Sequence, residues 1–468
     1  MKFKYPFLSL LAITALPLVA DTSAPDAMLG RTPHSANPIL PGYYADPSIV
    51  QDGGKTYLYA TLDPWGGDTL GCWESADFKN WTYRVLNWPT KKACTSPTSK
   101  GAKVWAPSVV AGRDGKFYMY VSVGSEVWAG VADHPLGPWH NALGDRPLIP
   151  SDAKPGYHMI DAEAFIDDDG QAYLYWGSGW NWVNGRCWAV KLKPDMVTFD
   201  GEVHDVTPAR YFEGPFMVKR HGRYFLMNST GKTTETTYAV EYAVGDTPFG
   251  PFVDGPNTPV LTSDPANNIL SPGHHAIFQR EGRDYILYHR HSVPFNRKFV
   301  GRQVCVDPIT FTPDGRIEKI NPTHQGPLLA QGRAESLAKL SSAAKITASS
   351  QADAFTAAAC VLDDNYGTRW AAASDAKGAW IQLDLGATQS IQRQLIRPEY
   401  AWKPYRFTIE ASTDGQNWQV VDDFSKQPVS GSPIVSEKPV TARYLRLVFP
   451  DDVKGSDISL IEWTVLPK

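Results

Sequence analysis

The sequence predicts an all-β chain, a five-bladed β-propeller followed by a β-sandwich. Three observations carry this. A glycine turn followed by an aromatic-rich run recurs five times, helical patterning is almost absent over residues 35–325, and a second set of alternating apolar and polar runs follows residue 345. The 468 residues are enough for two or three domains with cores of their own. With 43% hydrophobic and 20% charged residues the composition excludes a mostly disordered chain. A net charge of −4 gives no electrostatic case for nucleic acid.

The repeat begins Gly54-Lys-Thr-Tyr57-Leu-Tyr59 and returns at Gly115, Gly170, Gly222 and Gly282, at spacings of 61, 55, 52 and 60 residues. Each copy reads as a hairpin. Units of this length hold four short strands, which is the size of a propeller blade. A second motif, Asp133-His-Pro-Leu-Gly-Pro-Trp139, recurs as Asp246-Thr-Pro-Phe-Gly-Pro-Phe252, 113 residues later and close to two blade periods. A large β-sandwich is the competing architecture. The tyrosines of the repeat account for much of the 12% aromatic content as blade packing.

Upstream of each repeated glycine a strand begins at Asp46-Pro-Ser, Trp105-Ala106-Pro-Ser, Asp161-Ala-Glu163, Glu213-Gly-Pro or His274-His-Ala. Innermost strands line a propeller's central channel. Equivalent positions on five of them meet at one end of the axis, which gathers Asp46, Asp161, Glu213 and His274, with Trp105 or Ala106 as the fifth member. Taken singly, an Asp before Pro is a turn cap, a Glu before Gly-Pro a solvated loop residue and a His a structural donor. Gathered at matched repeat positions, three carboxylates form a costly core and therefore suggest a site. Glycoside hydrolysis uses two carboxyl groups, one protonated and one ionised, and a third carboxylate nearby raises the pKa of the acid.

These segments resemble glycoside hydrolase family 43, a five-bladed propeller family. The resemblance spans residues 36–325 and rests on Tyr44-Ala-Asp46-Pro-Ser48, Trp105-Ala-Pro-Ser108, Ile160-Asp161 before Asp167-Asp-Asp-Gly170, Phe212-Glu213-Gly-Pro215, Ser75-Ala-Asp-Phe-Lys-Asn-Trp81, Gly273-His274-His275 and Tyr288-His289. It implies Asp46 as general base, Glu213 as general acid and Asp161 as the residue that tunes and orients the acid. It implies inversion at the anomeric carbon, no cofactor for the chemistry, and a structural Ca²⁺ in the channel near His274. The middle motif departs from the family pattern at Glu163, which stands as a rival tuner or as the partner of an arginine. Trp105 is a candidate sugar wall or a packing residue. Arg290 and Arg302 are candidates for a sugar hydroxyl or a carboxylate, with Arg302 preferred.

Residues 327–345 read as a linker. Beyond it, 346–468 carry alternating runs at Trp380-Ile-Gln-Leu-Asp-Leu385, Phe407-Thr-Ile-Glu-Ala411 and Tyr444-Leu-Arg-Leu-Val448, the pattern of a half-buried sandwich sheet. Asp363-Asp-Asn-Tyr-Gly-Thr-Arg369-Trp370, Ser412-Thr-Asp-Gly-Gln-Asn-Trp418 and Arg443-Tyr-Leu-Arg446 resemble the discoidin, or coagulation-factor type C, domain. The resemblance implies a jelly-roll carbohydrate-binding module with a structural Ca²⁺. Tyr400 and Trp402 are candidates for sugar contact there.

Residues 1–20 combine a charged start with an apolar run, the pattern of a secretory signal, with Ala20 or Ala24 as the last residue before cleavage. Secreted or periplasmic placement follows. A buried N-terminal strand is the alternative. Of five cysteines, none forms a C-x-x-C pair, and Cys72 and Cys94 are spaced to form one disulfide after export. The odd count leaves at least one thiol free, expected to be buried and inert. Taken together, the expectation is a monomeric exo-glycosidase acting on arabinose- or xylose-containing plant polysaccharides or oligosaccharides, with neither a nucleic acid nor a membrane as partner. An α-L-arabinofuranosidase is preferred, with β-xylosidase, galactofuranosidase or a non-catalytic lectin as alternatives.

Overall fold

The computed structural model describes residues 30–296, 298–327, 329 and 339–468. The expected signal segment 1–20 and most of the expected linker lie outside the described residues. Five small antiparallel sheets form the blades, and a separate sheet forms the C-terminal domain.

Each repeated glycine turns the chain between the inner strand of a blade and the next strand out. In blade 1, Tyr44–Asp52 pairs with Lys55–Leu62 across Gly53 and Gly54, whose φ values of 55° and 77° suit a tight turn that side chains resist. Inner strands Val104–Ala111, Glu163–Ile166, Glu213–Arg220 and Gly273–Arg280 begin blades 2 to 5. Four blades have four strands, as expected; the fifth has three. Asn37 occupies the outer edge of that blade. Its side chain donates to the carbonyls of Val306 and Thr323 and accepts from the Val306 N–H, and Ile39 N–H donates to Val304. The segment before blade 1 thereby ties the last blade to the first.

The tyrosines of the repeat pack between blades, and several close the gap with a polar tip. Tyr59 donates to Pro135 O at 2.6 Å, Tyr120 to Met196 O at 2.6 Å and Tyr175 to Pro248 O at 2.7 Å. Pro135 and Pro248 lie in the two copies of the Asp-x-Pro-x-Gly-Pro motif, which explains its recurrence two blades apart.

In the C-terminal domain the long strand Trp380–Pro398 pairs with Val440–Val448 and Ser459–Pro467. Its alternation sends Ile381 and Leu383 into a core with Trp370, Phe407, Leu445 and Trp463. This domain packs on blades 1 and 5. Arg397 donates to Trp81 O at 2.8 Å, Tyr83 N–H to Ser432 O at 2.7 Å, and Ala401 is buried in the cluster around Trp73, Trp81 and Phe278.

The suggested Cys72–Cys94 disulfide is absent. All five cysteines are free and buried, and burial pushes the Cys94 thiol up to about 12. The burial expected of one thiol holds for all five.

Candidate active site

Each inner strand breaks its pairing at the same place. Asp46, Ala106, Asp161, Gly214 and His274 have φ values of 51°, 44°, 58°, 59° and 39°. In blades 1, 2, 4 and 5 the register slips there, as a β-bulge does. A bulge re-aims side chains and leaves one backbone N–H without a strand partner. That N–H is capped by the neighbouring blade. Thr61 Oγ1 accepts from Ala106 N–H at 2.8 Å, Ser122 Oγ from Asp161 N–H at 3.0 Å and Ser229 Oγ from His274 N–H at 2.8 Å. His289 Nδ1 accepts from Asp46 N–H at 3.1 Å. In blade 3 the matching residue is Gly177, which has no side chain to cap the Gly214 N–H, and that N–H favours the ionised form of Asp161. Left-handed non-glycine residues cost about 1–3 kcal/mol each, and this ring of caps offsets that strain.

The bulges bring Asp46, Asp161, Glu213, His274 and Trp105 to one pocket of about 340 Å³, as the repeat positions foretold. One detail differs. Gly214, not Glu213, matches Asp46 in register, and Trp105 and Glu213 both stand one residue before their bulge. Arg302 lines the pocket too. Arg290 does not, because its buried guanidinium donates to Thr323 O and Asn37 O and contacts His324. It fastens the last blade, away from the pocket where a sugar hydroxyl was expected. Trp402 lies on the C-terminal domain outside the pocket lining, beside Tyr400 and Lys403.

The carboxyls of Asp46 and Glu213 are shifted in opposite directions. Burial alone would raise Asp46, but the Arg302 guanidinium and then His274 hold it well below the ordinary carboxylate range. Arg302 Nη1 donates to Asp46 Oδ1 at 3.1 Å, and Thr61 Oγ1 donates to Oδ2 at 2.7 Å. Arg302 is itself fixed by Asp63, to which Nη2 donates at 2.6 Å. Glu213 is pushed up to about 7, chiefly by burial, although hydrogen bonds from Tyr238 at 2.8 Å and Ser178 at 3.1 Å favour its ionised form. Asp161 is raised as well, by burial and then by repulsion from Glu213 and Asp46. Glu163 is pushed up to about 8 by burial, which the nearby Ser108 only partly opposes, and no ion pair joins it to an arginine among the described residues. Among these two, only Asp161 is tied electrostatically to Glu213.

Sequence reading gave the supporting residues no role, although a signal existed. Thr61, Ser122, Gly177, Ser229 and His289 each lie seven residues after a repeated glycine. Trp65, His158, Trp180, Trp182 and Tyr238 also line the pocket. They sit in loops of unequal length, where no repeat position marks them.

Residues 35–317 match the sequence profile of glycosyl hydrolases family 43. The chain belongs to this family. This family 43 enzyme carries an F5/8 type C domain at residues 345–463, which settles the discoidin resemblance. It is 34% identical over 308 residues to a β-D-galactofuranosidase of Aspergillus niger, covering 62% of this chain and 86% of that one. To an arabinoxylan arabinofuranohydrolase of Bacillus subtilis it is 23% identical over 346 residues, covering 62% of this chain and 65% of that one. A solved structure described as a glycoside hydrolase superposes with a TM-score of 0.76 at 29% identity, over 91% of this chain and 98% of that one. Both domains of the family 43 enzyme are therefore found together in a known structure.

Among the described residues no group of three or more His, Cys, Asp or Glu is arranged to hold a metal directly. Both ring nitrogens of His275 and Nε2 of His289 are buried without a partner beside His274. Such orphans suit a cation bound through water, whose ligands could satisfy them. No helix among the described residues is long and apolar enough to cross a membrane.

Proposed function

We propose that the protein is an exo-acting, inverting furanosidase with Asp46 as base, Glu213 as acid and Asp161 as the residue that tunes the acid. The observation that carries this is the opposed titration of two carboxyls in one pocket. Asp46 is held ionised by Arg302, and Glu213 is kept protonated to near neutrality by burial. Glu213 gives its proton to the glycosidic oxygen as the bond from the anomeric carbon breaks. Asp46 takes a proton from the water that attacks the opposite face. The two groups stand on blades 1 and 4 and line the same pocket.

The preferred sugar is a terminal α-L-arabinofuranose. β-D-Galactofuranose has the same ring stereochemistry with one further hydroxymethylene, so the Aspergillus relative supports a furanose pocket without deciding between them. Secretion or export to the periplasm follows from residues 1–20. A hydrated Ca²⁺ near His274 would satisfy the orphaned ring nitrogens and add positive charge to the pocket floor. In the C-terminal module, burial pushes Asp363 and Glu462 up to about 7 and 8, and Glu462 Oε2 has no partner. These are the groups a structural Ca²⁺ there would neutralise.

The test is a panel of nitrophenyl α-L-arabinofuranoside, β-D-galactofuranoside and β-D-xylopyranoside, with NMR of the first anomer formed. Release of one furanose with inverted configuration is expected. Preferred xyloside cleavage, retention, or binding without release would overturn the reading.

A further inference from the structure

Of sixteen tryptophans, three are markedly exposed: Trp65 at 45%, Trp180 at 48% and Trp402 at 41%. Trp65 and Trp180 line one groove of about 460 Å³, together with Trp105, His158, Lys103 and Ser125. Its four aromatic residues also line the catalytic pocket, so the groove continues it. The aromatic surfaces are fixed in place. Arg302 lies under the Trp65 ring at 5.0 Å, and His158 stacks on Trp180 at 4.1 Å.

The loop that carries Trp180 also holds Glu213. Ser178 donates to its carboxyl, and Trp182 packs on Tyr238, which donates to the same carboxyl. Asn181, Trp182 and Asn184 all have left-handed backbones, with φ of 56°, 65° and 55°. Gly179 and Gly185 leave no room for a side chain, since a Cβ would stand 1.8 Å from Val183 O and 2.1 Å from Phe212 O. This much strain in one short loop marks a shape kept for a purpose.

We propose that the groove is the leaving-group subsite, which stacks the sugar rings of a glycan released by the reaction, with Trp180 as its main contact. The proposal rests on Glu213 as the acid. A general acid must face the glycosidic oxygen, so the leaving group emerges beside it. Trp180 is two residues from Ser178, on the acid's own side of the pocket. Apolar sugar faces fit the rings, while Lys103 and Ser125 offer polar atoms to hydroxyls.

The test compares the methyl glycoside of the furanose chosen by the panel with a trisaccharide ending in the same sugar. Trp180→Ala is expected to lower kcat/KM on the trisaccharide by about tenfold more than on the methyl glycoside, mainly through KM. Trp180→Phe, which keeps an aromatic face, should restore most of the difference. Equal losses on both substrates overturn the subsite yet leave the hydrolase reading intact. That reading stands or falls instead on release of sugar from the methyl glycoside by the wild type and its loss in Glu213→Gln.

Discussion

The Tyr238 hydroxyl donates to Glu213 Oε1 at 2.8 Å, and the same ring lies parallel to His289, with 5.8 Å between centroids and a 4° interplanar angle. His289 in turn caps Asp46. One side chain thus touches the supports of both carboxyls. Its hydrogen bond favours the ionised form of Glu213 and so lowers a pKa that burial has raised. Tyr238→Phe removes that bond while keeping the stack. Glu213 should then stay protonated to a pH above about 7, and the alkaline limb of kcat/KM should move upward. A pH profile with an unmoved or lowered limb would show that Glu213 is not the group titrating there.

Acid and base are separable by the leaving group. Glu213→Gln should reduce kcat on a methyl furanoside by about 10²–10⁴-fold, the usual worth of proton transfer in the transition state. On a dinitrophenyl furanoside, whose leaving group needs no proton, the loss should be far smaller. Asp46→Asn removes the group that activates water and should cost a comparable factor on both substrates. Equal sensitivity of the two variants to the leaving group would exchange or abolish the assigned roles.

Arg302 is ion-paired with two buried carboxylates, with Nη1 on Asp46 and Nη2 on Asp63. Arg302→Met leaves both without their cation, a loss of about 3–5 kcal/mol for a broken buried pair. Because Arg302 lowers the Asp46 pKa, its removal raises it. The acid limb of kcat/KM should therefore climb toward neutrality. Arg290→Met should lower Tm and leave both limbs in place, since Arg290 bonds Thr323 O and Asn37 O away from the pocket. Chemical denaturation and pH profiles of the pair distinguish a positioning arginine from a structural one.

The carboxyls were legible in the sequence because the repeat carries a strict register. A glycine turn fixes the hairpin, and the bulge lies eight or nine residues before it. Asp46, Asp161 and His274 could thus be superposed without coordinates. Glu213 was found through the same spacing, although Gly214 holds the bulge itself. Arg290 stood beside Arg302 as a candidate because the two flank one loop, and only strand pairing decides which lines the pocket. Gln303 pairs with Arg290 and His291 with Arg302, so the two arginines emerge on opposite faces of the blade. Trp65 and Trp180 escaped notice because stacking surfaces arise from loop conformation, and nothing periodic encodes a loop.

The contact between domains bears on the site through Gly42. Its φ is 104°, and a Cβ there would stand 2.6 Å from Glu399 O on the C-terminal domain. The next residue, Tyr43, meets Tyr400 at 5.8 Å between centroids and accepts a hydrogen bond from the backbone N–H of Asp63, the residue that fixes Arg302. Gly42→Ala should strain this junction by about 1–3 kcal/mol. Calorimetry should show the wild type unfolding in one transition, because Arg397 to Trp81 O and Tyr83 N–H to Ser432 O bind the domains together. The variant should unfold in two, with the propeller melting first. Since Tyr43 leads to Asp63 and Arg302, kcat should fall as well, by a smaller factor than in Arg302→Met. An unchanged single transition with full activity would mean that the C-terminal domain is a passenger on the propeller and not part of the frame that holds Asp46.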